Sequence, residues 1–442
     1  MTKAVFKPYF KPYSKLIGVS VVALGLLAGF LRFWHLGRFN TFVFDEVYFA
    51  HFAYQYWQSE PVFDVHPPLG KYLIALGMAL AHQLPMLAKI THTELGVPLS
   101  TLSYRWVNAL IGTLTPLLVA GMAWELGGSL AAPRRGWFTL LSGSFVAIDG
   151  LFIVESRYAL INIHLVFWGC LGHWLWLRSG RKPGQSFGQA ARQKAGQTLG
   201  LKYLAGIALG ACISTKWNGL PWLVGLVATP LRRRWPLYIV GIPIAIYGLL
   251  WIPHLRLSGD TLLLVHQSIL SFHLGMETGA HPYCSAWYTW PLLIRPIAYW
   301  YQVAEDGRVF DIHGLGNPIL WWLSLGAMTV LGLRRIWATQ PDSETSPETY
   351  LVLNYAINWL PWVLVSRCTF LYHYLSAALF SFMGLAWLIS GWFTSERPAW
   401  QWMAGGMVGA IALAGWFWLP LALGLPLTEE ALQRRFWLSS WL

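Results

Sequence analysis

Apolar stretches of bilayer-spanning length recur from Leu16 to Pro420, and the basic residues fall in the short segments between them. Inside hydrocarbon every backbone N–H and C=O must find its partner within the protein, so such stretches fold as helices. At about 1.5 Å rise per residue, about twenty residues cross a hydrocarbon core of about 30 Å. The chain has 442 residues, 56% of them hydrophobic and 11% charged, against roughly 25% charged in soluble domains. The fold class is therefore all-α and polytopic in the membrane. A transmembrane barrel would show short segments of alternating hydrophobicity instead.

The formal charge of +12 suggests nucleic acid as a partner, but its distribution excludes that reading. The cations cluster at Lys3, Lys7, Lys11 and Lys15, at Arg134-Arg135, between Arg178 and Lys202, at Arg232-Arg233-Arg234 and at Arg334-Arg335. Basic loops between spans mark the cytoplasmic side, where an anionic leaflet is their partner. With a cytoplasmic N-terminus, Leu16–Trp34 exits; no small-residue cleavage site follows it, so it is not a removable signal. Leu69–Leu84 is too short to cross and is expected to lie along the outer surface. Tyr104–Leu126 returns, Trp137–Ile153 exits and Ala159–Leu177 returns. Tyr203–Thr215 and Trp217–Thr229 form a tight pair. Pro236–Pro253 leads to the long segment 254–317, Pro318–Leu333 returns, and Tyr350–Val365, Phe370–Trp392 and Gln401–Pro420 complete about eleven spans with an external C-terminus. This is one membrane-embedded domain over 1–442, with external loops at 35–103 and 254–317. The polar loop with Pro341, Asp342, Glu344 and Glu348 falls inside.

Charged groups near lipid are costly and tend to mark function. The map brings Asp45-Glu46, His66, Arg105, Glu155-Ser156-Arg157, Lys216, the His281–Arg295 segment and Arg367–His373 to the outer face. Adjacent residues of a helix point about 100° apart, so Asp45 and Glu46 do different jobs. His66-Pro67-Pro68 reads as a rigid corner, because proline disfavours helix before it and suits a helix start; His66 either caps that turn or lines a site. Arg105, Arg157, Lys216, Arg295 and Arg367 lie outside against the positive-inside tendency, an arrangement suited to a phosphate, with scattered structural cations as the alternative. Cys170 and Cys212 fall in spans as small buried residues. The pairing of Cys284 with Cys368 is left open by sequence. There is no phosphate-binding glycine loop, no H-E-x-x-H and no G-x-S-x-G, and no metal-ligand spacing, although an acidic site is able to recruit a divalent ion.

Several segments, in order, carry a resemblance: Phe44-Asp45-Glu46-Val47-Tyr48-Phe49, Phe63-Asp64-Val65-His66-Pro67-Pro68-Leu69-Gly70-Lys71, Glu155-Ser156-Arg157, Ser214-Thr215-Lys216-Trp217-Asn218-Gly219-Leu220, His281-Pro282-Tyr283, Arg295-Pro296 and Thr369-Phe370-Leu371-Tyr372-His373-Tyr374-Leu375. The chain resembles the protein O-mannosyltransferases, a family of C-type membrane glycosyltransferases. That resemblance implies a fold of about eleven spans with surface helices in the first external loop, in agreement with the charge map. It implies transfer of mannose from polyprenyl-phosphate mannose to Ser or Thr of secreted or membrane polypeptides. It puts catalysis on Asp45 with Glu46 adjoining, the donor phosphate on Arg105 and Lys216 with Arg157 and Arg295, and the cleft lining on His66, His281, Tyr283 and His373. The chain lacks the soluble insert of eukaryotic members, since 254–317 is too short to hold it. Asn162 stands where an aspartate is common, Cys284-Ser285-Ala286 and Ser376 depart from the usual residues, and a bacterial inner-membrane enzyme with an extracytoplasmic site is expected.

A sugar phosphate already has a good leaving group, so the reaction needs cations for the phosphate and one base for the acceptor hydroxyl. Asp45 is the expected base of an inverting displacement, with Glu46 in support and no cofactor beyond the lipid-linked donor. Two other readings stay open: the same donor chemistry onto a cell-envelope lipid or glycan, and a transporter of lipid-linked sugars. Transporters commonly show repeated halves with interrupted helices, and no such repeat is visible.

Overall fold

Long apolar helices expose large side chains to lipid on one face and use small or polar ones where they meet neighbours. The first helix, α1 (Phe10–Phe33), does this: Leu16, Val19, Val22, Leu26 and Phe30 face outward, while Leu24, Ala28 and Arg32 are buried. The structure is a computed structural model that describes residues 10–180, 189–229, 236–276, 281–337 and 346–442. The basic positions Lys3, Lys7, Arg181, Lys182 and Arg232-Arg233-Arg234, and the acidic loop at Asp342 and Glu344, lie outside the described residues.

After α1 come α2 (Glu46–Trp57), α3 (Leu69–His82), α4 (Pro85–Ala88), α5 (Thr101–Leu126), α6 (Ala132–Ile148), α7 (Gly150–Arg157) and α8 (Asn162–Ser179). Next are α9 (Gln189–Ile213), α10 (Leu220–Ala228), α11 (Ile242–Ser258) and α12 (Leu262–Gly275). A hairpin of β1 (Ile297–Val303) and β2 (Val309–Gly314) precedes α13 (Pro318–Ile336), α14 (Pro347–Trp359), α15 (Leu375–Phe393) and α16 (Pro398–Leu423). The chain ends with β3 (Pro426–Leu427), which pairs antiparallel with β2, and α17 (Glu429–Gln433).

Among the described residues six helices are long and apolar enough to cross a membrane: α1, α5, α11, α13, α15 and α16; α6 and α7 together make a seventh if counted as one bent span. Length and composition thus bear out six or seven of the expected eleven spans. The expected surface helix at Leu69–Leu84 is α3, whose 14 residues reach only about 21 Å. The segment 254–317 holds more order than a loop: α11 runs on to Ser258, and α12 and the hairpin follow. Two helices organise the rest. α5 packs against α1, α3, α6, α7 and α8, and the buried α15 packs against α6, α13, α14 and α16.

The expected continuous span Trp137–Ile153 is instead bent by 60° between α6 and α7. The backbone turns extended at Asp149 (φ −71°, ψ 130°), and buried polar groups meet the broken ends. Arg32 donates to Ala147 O at 3.1 Å and Val146 O at 3.4 Å. Asp149 accepts from Phe152 N at 3.2 Å, Asn317 N at 2.9 Å and Trp321 Nε1 at 2.7 Å. These bonds meet two carbonyls at the end of α6 and one N–H at the start of α7 that the broken helix leaves without partners. Gly150 is required because the carbonyl of Leu315 lies where a side chain would begin. The bend delivers Glu155, Ser156 and Arg157, all buried, to the end of the bundle that carries α2.

Candidate active site

The acid pair divides at the start of α2. Phe44 has φ 54°, a left-handed conformation that costs a non-glycine residue roughly 1–2 kcal/mol. Its ring lies flat on Tyr299, with centroids 4.4 Å apart and planes at 9°. Asp45 follows as the N-cap residue of α2, yet its side chain makes no cap hydrogen bond. The carboxylate is only partly buried and remains available to a ligand. Burial pushes its pKa up to about 6, Lys216 pulls it down by a smaller amount, and Asp64 adds to the rise.

Glu46 has the opposite surroundings. It is fully buried, and four donors fill its two oxygens. Arg105 Nε reaches Oε1 at 2.8 Å and Nη2 reaches Oε2 at 2.6 Å. The backbone N–H of Ala159 donates to Oε1 at 2.8 Å, and that of Val43 to Oε2 at 2.9 Å. This forked pair ties α2 to α5 and to the start of α8.

The expected phosphate cations separate in the same way. Arg105 is buried, and its remaining N–H groups go to the carbonyls of Leu36, Phe39 and Thr41. Arg157 donates to the carbonyls of Leu31, Arg32, Trp34 and His35, at the end of α1. Arg295 donates to Pro282 O, Ser440 O and Leu442 O, and lies over the ring of Tyr283. Their terminal guanidinium N–H groups are engaged with carbonyls or with Glu46, and only Nε of Arg157 is left buried without a partner among these three. These three arginines close the chain onto itself and do not face Asp45.

Lys216, in the turn between α9 and α10, does. It is 5% exposed, donates to Asn162 Oδ1 at 2.9 Å and lies 5.1 Å from the centre of the Tyr372 ring. Burial pulls its pKa down to about 8, and Asp45 and Glu155 oppose that fall. Arg367 also acts on it electrostatically, from a half-buried position where Nη1 donates to Cys368 O at 3.0 Å. His66 comes within 5.7 Å of His273, ring centre to ring centre, and His373 lies against Tyr372. Burial first, then Lys216 and Lys71, hold His66 well below the usual histidine pKa, so its ring is neutral.

The Asp64 carboxylate and the carbonyls of His66 and Pro67 all receive Lys71, which fixes the His66-Pro67-Pro68 corner at the start of α3. His281 and Tyr283 sit on an outer strand of chain, where the His281 ring meets Phe370 at 5.4 Å. That strand is held by a Cys284–Cys368 disulfide, with Cα atoms 5.2 Å apart, and by Ser285 N donating to Thr369 O at 2.8 Å. The bridge spans 84 residues, for which chain entropy gives a stabilisation of roughly 4–5 kcal/mol. Reduction, or Cys284→Ser with Cys368→Ser, is expected to lower the thermal midpoint of the purified protein; equal midpoints with and without reductant would show that the bridge is not formed.

Sequence reasoning missed Asn162, Tyr299 and His273 as neighbours of the site, and treated Glu155 only as part of a motif. Glu155 had a signal, a carboxylate at the end of an apolar run; Tyr299 had none, since one tyrosine in an aromatic-rich loop looks like any other. Among the described residues, no three His, Cys, Asp or Glu side chains are grouped to hold a metal ion.

Residues 22–257 match the dolichyl-phosphate-mannose-protein mannosyltransferase family, and residues 260–441 match the C-terminal four-transmembrane region of protein O-mannosyltransferases. The chain belongs to this family. It is a membrane-embedded mannosyltransferase. It is 24% identical to the polyprenol-phosphate-mannose–protein mannosyltransferase of Mycobacterium tuberculosis, over 98% of this chain and 93% of that one. With the Corynebacterium glutamicum protein of the same name it shares 25% identity, over 91% and 88%. In fold it is similar to the Saccharomyces cerevisiae Pmt1-Pmt2 complex bound to the sugar donor, with a TM-score of 0.80 at 16% identity, over 97% of this chain and 93% of that one. The Archaeoglobus fulgidus oligosaccharyltransferase shares the fold more distantly, with a TM-score of 0.58 over 95% and 57%.

Proposed function

We propose that this mannosyltransferase moves mannose from polyprenyl-phosphate mannose to Ser or Thr hydroxyls of polypeptides, with inversion at the anomeric carbon. The observation that carries this reading is an uncapped carboxylate, Asp45, within electrostatic reach of a buried ammonium, Lys216. As the acceptor oxygen bonds to the anomeric carbon, its proton passes to Asp45. The bond from that carbon to the phosphate oxygen breaks on the opposite face, and the polyprenyl phosphate leaves with the electron pair. Lys216, with Arg367 behind it, meets the charge that develops there. The neutral rings of His66 and His273 line the sugar's side of the cleft, and His373 lines it from the start of α15. Glu46, Arg105, Arg157 and Arg295 are assigned to the scaffold, because the carboxylate oxygens of Glu46 and the terminal N–H groups of the three arginines are already partnered. The names of the mycobacterial and corynebacterial relatives support the donor and the polypeptide acceptor.

Eleven crossings fit the same reading when α8, α9, α10 and α14 are added to the seven longer or bent spans. The Cys284–Cys368 bridge supports an extracytoplasmic site, since disulfides persist in oxidising compartments.

The pH dependence follows from the two central charges. A base must be ionised, so kcat/KM is expected to fall below pH about 6 as Asp45 is protonated. A phosphate ligand must be charged, so it is expected to fall again above pH about 8 as Lys216 loses its proton. A bell-shaped profile is therefore expected; an acid limb in the ordinary carboxylate range would show that burial does not raise Asp45, and an acid limb unchanged in Asp45→Asn would remove Asp45 as the base. The decisive assay gives labelled polyprenyl-phosphate mannose and a Ser/Thr-rich peptide to membranes containing the protein. Label on the peptide supports the reading. Label on lipid or glycan alone overturns the acceptor, and no transfer to any acceptor overturns the reaction.

A further inference from the structure

A buried chain of polar side chains ends on Lys216 and begins on the outer hairpin. Tyr299 of β1 is 4% exposed, and its hydroxyl donates to Glu155 Oε1 at 2.5 Å. Glu155 is fully buried in α7, and its Oε2 accepts from Asn162 Nδ2 at 3.1 Å. The same amide accepts from Lys216 Nζ through Oδ1 at 2.9 Å. An amide satisfies a carboxylate on one side and an ammonium on the other in one orientation only, N–H toward the acid and oxygen toward the cation. Glu155 therefore sets the direction of Asn162, and Asn162 sets the position of Lys216.

The other face of Tyr299 reaches the second half of the site. Its ring lies flat on Phe44, whose left-handed backbone immediately precedes Asp45. One residue of β1 thus touches Glu155, which holds the partner of Lys216, and Phe44, the neighbour of the proposed base. A space-filling side chain would need neither the hydroxyl nor a buried carboxylate, because apolar residues pack such volumes without desolvating a charge.

We propose that Tyr299 is a positioning residue for both halves of the reaction. Through Glu155 and Asn162 it holds Lys216 against the departing phosphate, and through Phe44 it aims Asp45 at the acceptor hydroxyl. The inference rests on the roles given above to Lys216 and Asp45.

The test uses the purified full chain and reads three quantities: affinity for polyprenyl phosphate, kcat for mannose transfer, and thermal midpoint. Tyr299→Phe removes the hydroxyl and keeps the ring. It is expected to weaken polyprenyl-phosphate binding about tenfold, the scale of a lost hydrogen bond to a charged group, and to lower the midpoint, because Glu155 Oε1 stays buried without its donor. Glu155→Leu removes both acceptor oxygens, so that nothing holds the Asn162 N–H away from Lys216; binding is expected to weaken at least as much. Tyr299→Leu, which also removes the stack on Phe44, is expected to lower kcat further.

A double-mutant cycle separates positioning from plain structural support. If Tyr299 acts through Lys216, Tyr299→Phe costs nothing more in a Lys216→Ala background. Equal losses in both backgrounds, or native affinity in Tyr299→Phe, would overturn the inference while the phosphate assignment stands. Native affinity in Lys216→Ala would overturn the phosphate assignment itself, and with it the Lys216 arm. An unchanged kcat in Tyr299→Leu relative to Tyr299→Phe would overturn the Asp45 arm.

Discussion

Asp45→Asn is expected to lower mannose transfer about a hundred- to ten-thousandfold, the range contributed by a positioned general base. The substitution keeps the size of the side chain and removes only its ability to accept a proton. Stability should hold, because the Asp45 side chain makes no cap hydrogen bond and asparagine is among the best N-cap residues. Affinity for polyprenyl phosphate should hold or rise, since a negative charge is lost from the vicinity of the bound phosphate. Loss of rate with retained folding and binding is thus the signature to look for. Transfer by Asp45→Asn at the native rate would remove the base from this residue.

The second large effect falls on the neighbouring acid and has a different cause. Glu46→Gln or Arg105→Ala breaks a fully buried ion pair, and leaving one such charge without its partner costs roughly 3–5 kcal/mol. Against a typical folding stability of about 5–15 kcal/mol, that loss is expected to appear first as poor yield of folded protein and a large drop in thermal midpoint. Arg105→Lys should not restore it, because one ammonium cannot replace a guanidinium that bonds Glu46 twice and three carbonyls besides. The measurements are monodispersity on gel filtration and transfer per folded molecule. If Arg105→Ala folds normally and loses only donor binding, the arginine belongs on the phosphate after all.

These two neighbours show what a sequence carries and what it withholds. Both acids were visible as costly charges beside an apolar span, and their separation by about 100° around a helix already implied separate roles. Which of them is filled by donors was not visible, because the donors come from Arg105, Val43 and Ala159. The cations behaved likewise. Arg105, Arg157, Lys216 and Arg295 were all legible as charges that the loop pattern groups together, but their hydrogen-bond partners, backbone carbonyls for the arginines with Glu46 for Arg105 and the Asn162 amide for Lys216, come from segments distant in sequence.

The broken span has the same explanation. Trp137–Ile153 reads as one apolar helix, and Asp149 within it is a single residue in an otherwise suitable pattern. The bend exists because Arg32, Asn317 and Trp321 converge there to satisfy the exposed backbone and the buried carboxylate. The short α10 and α14 are helices where spans were expected, but they fall below the length of a free-standing span.

By itself the sequence determined the class of molecule: repeated apolar length demands membrane helices, and ordered motifs name the family chemistry. Those properties depend on composition and local spacing, which solvent and lipid read residue by residue. Tertiary structure alone decided the division of labour within the site. It left Asp45 uncapped, enclosed Glu46, turned three arginines inward and joined Tyr299 to Lys216 through Glu155 and Asn162. Hydrogen-bond saturation is a property of distant groups brought together, and no spacing along the chain encodes it.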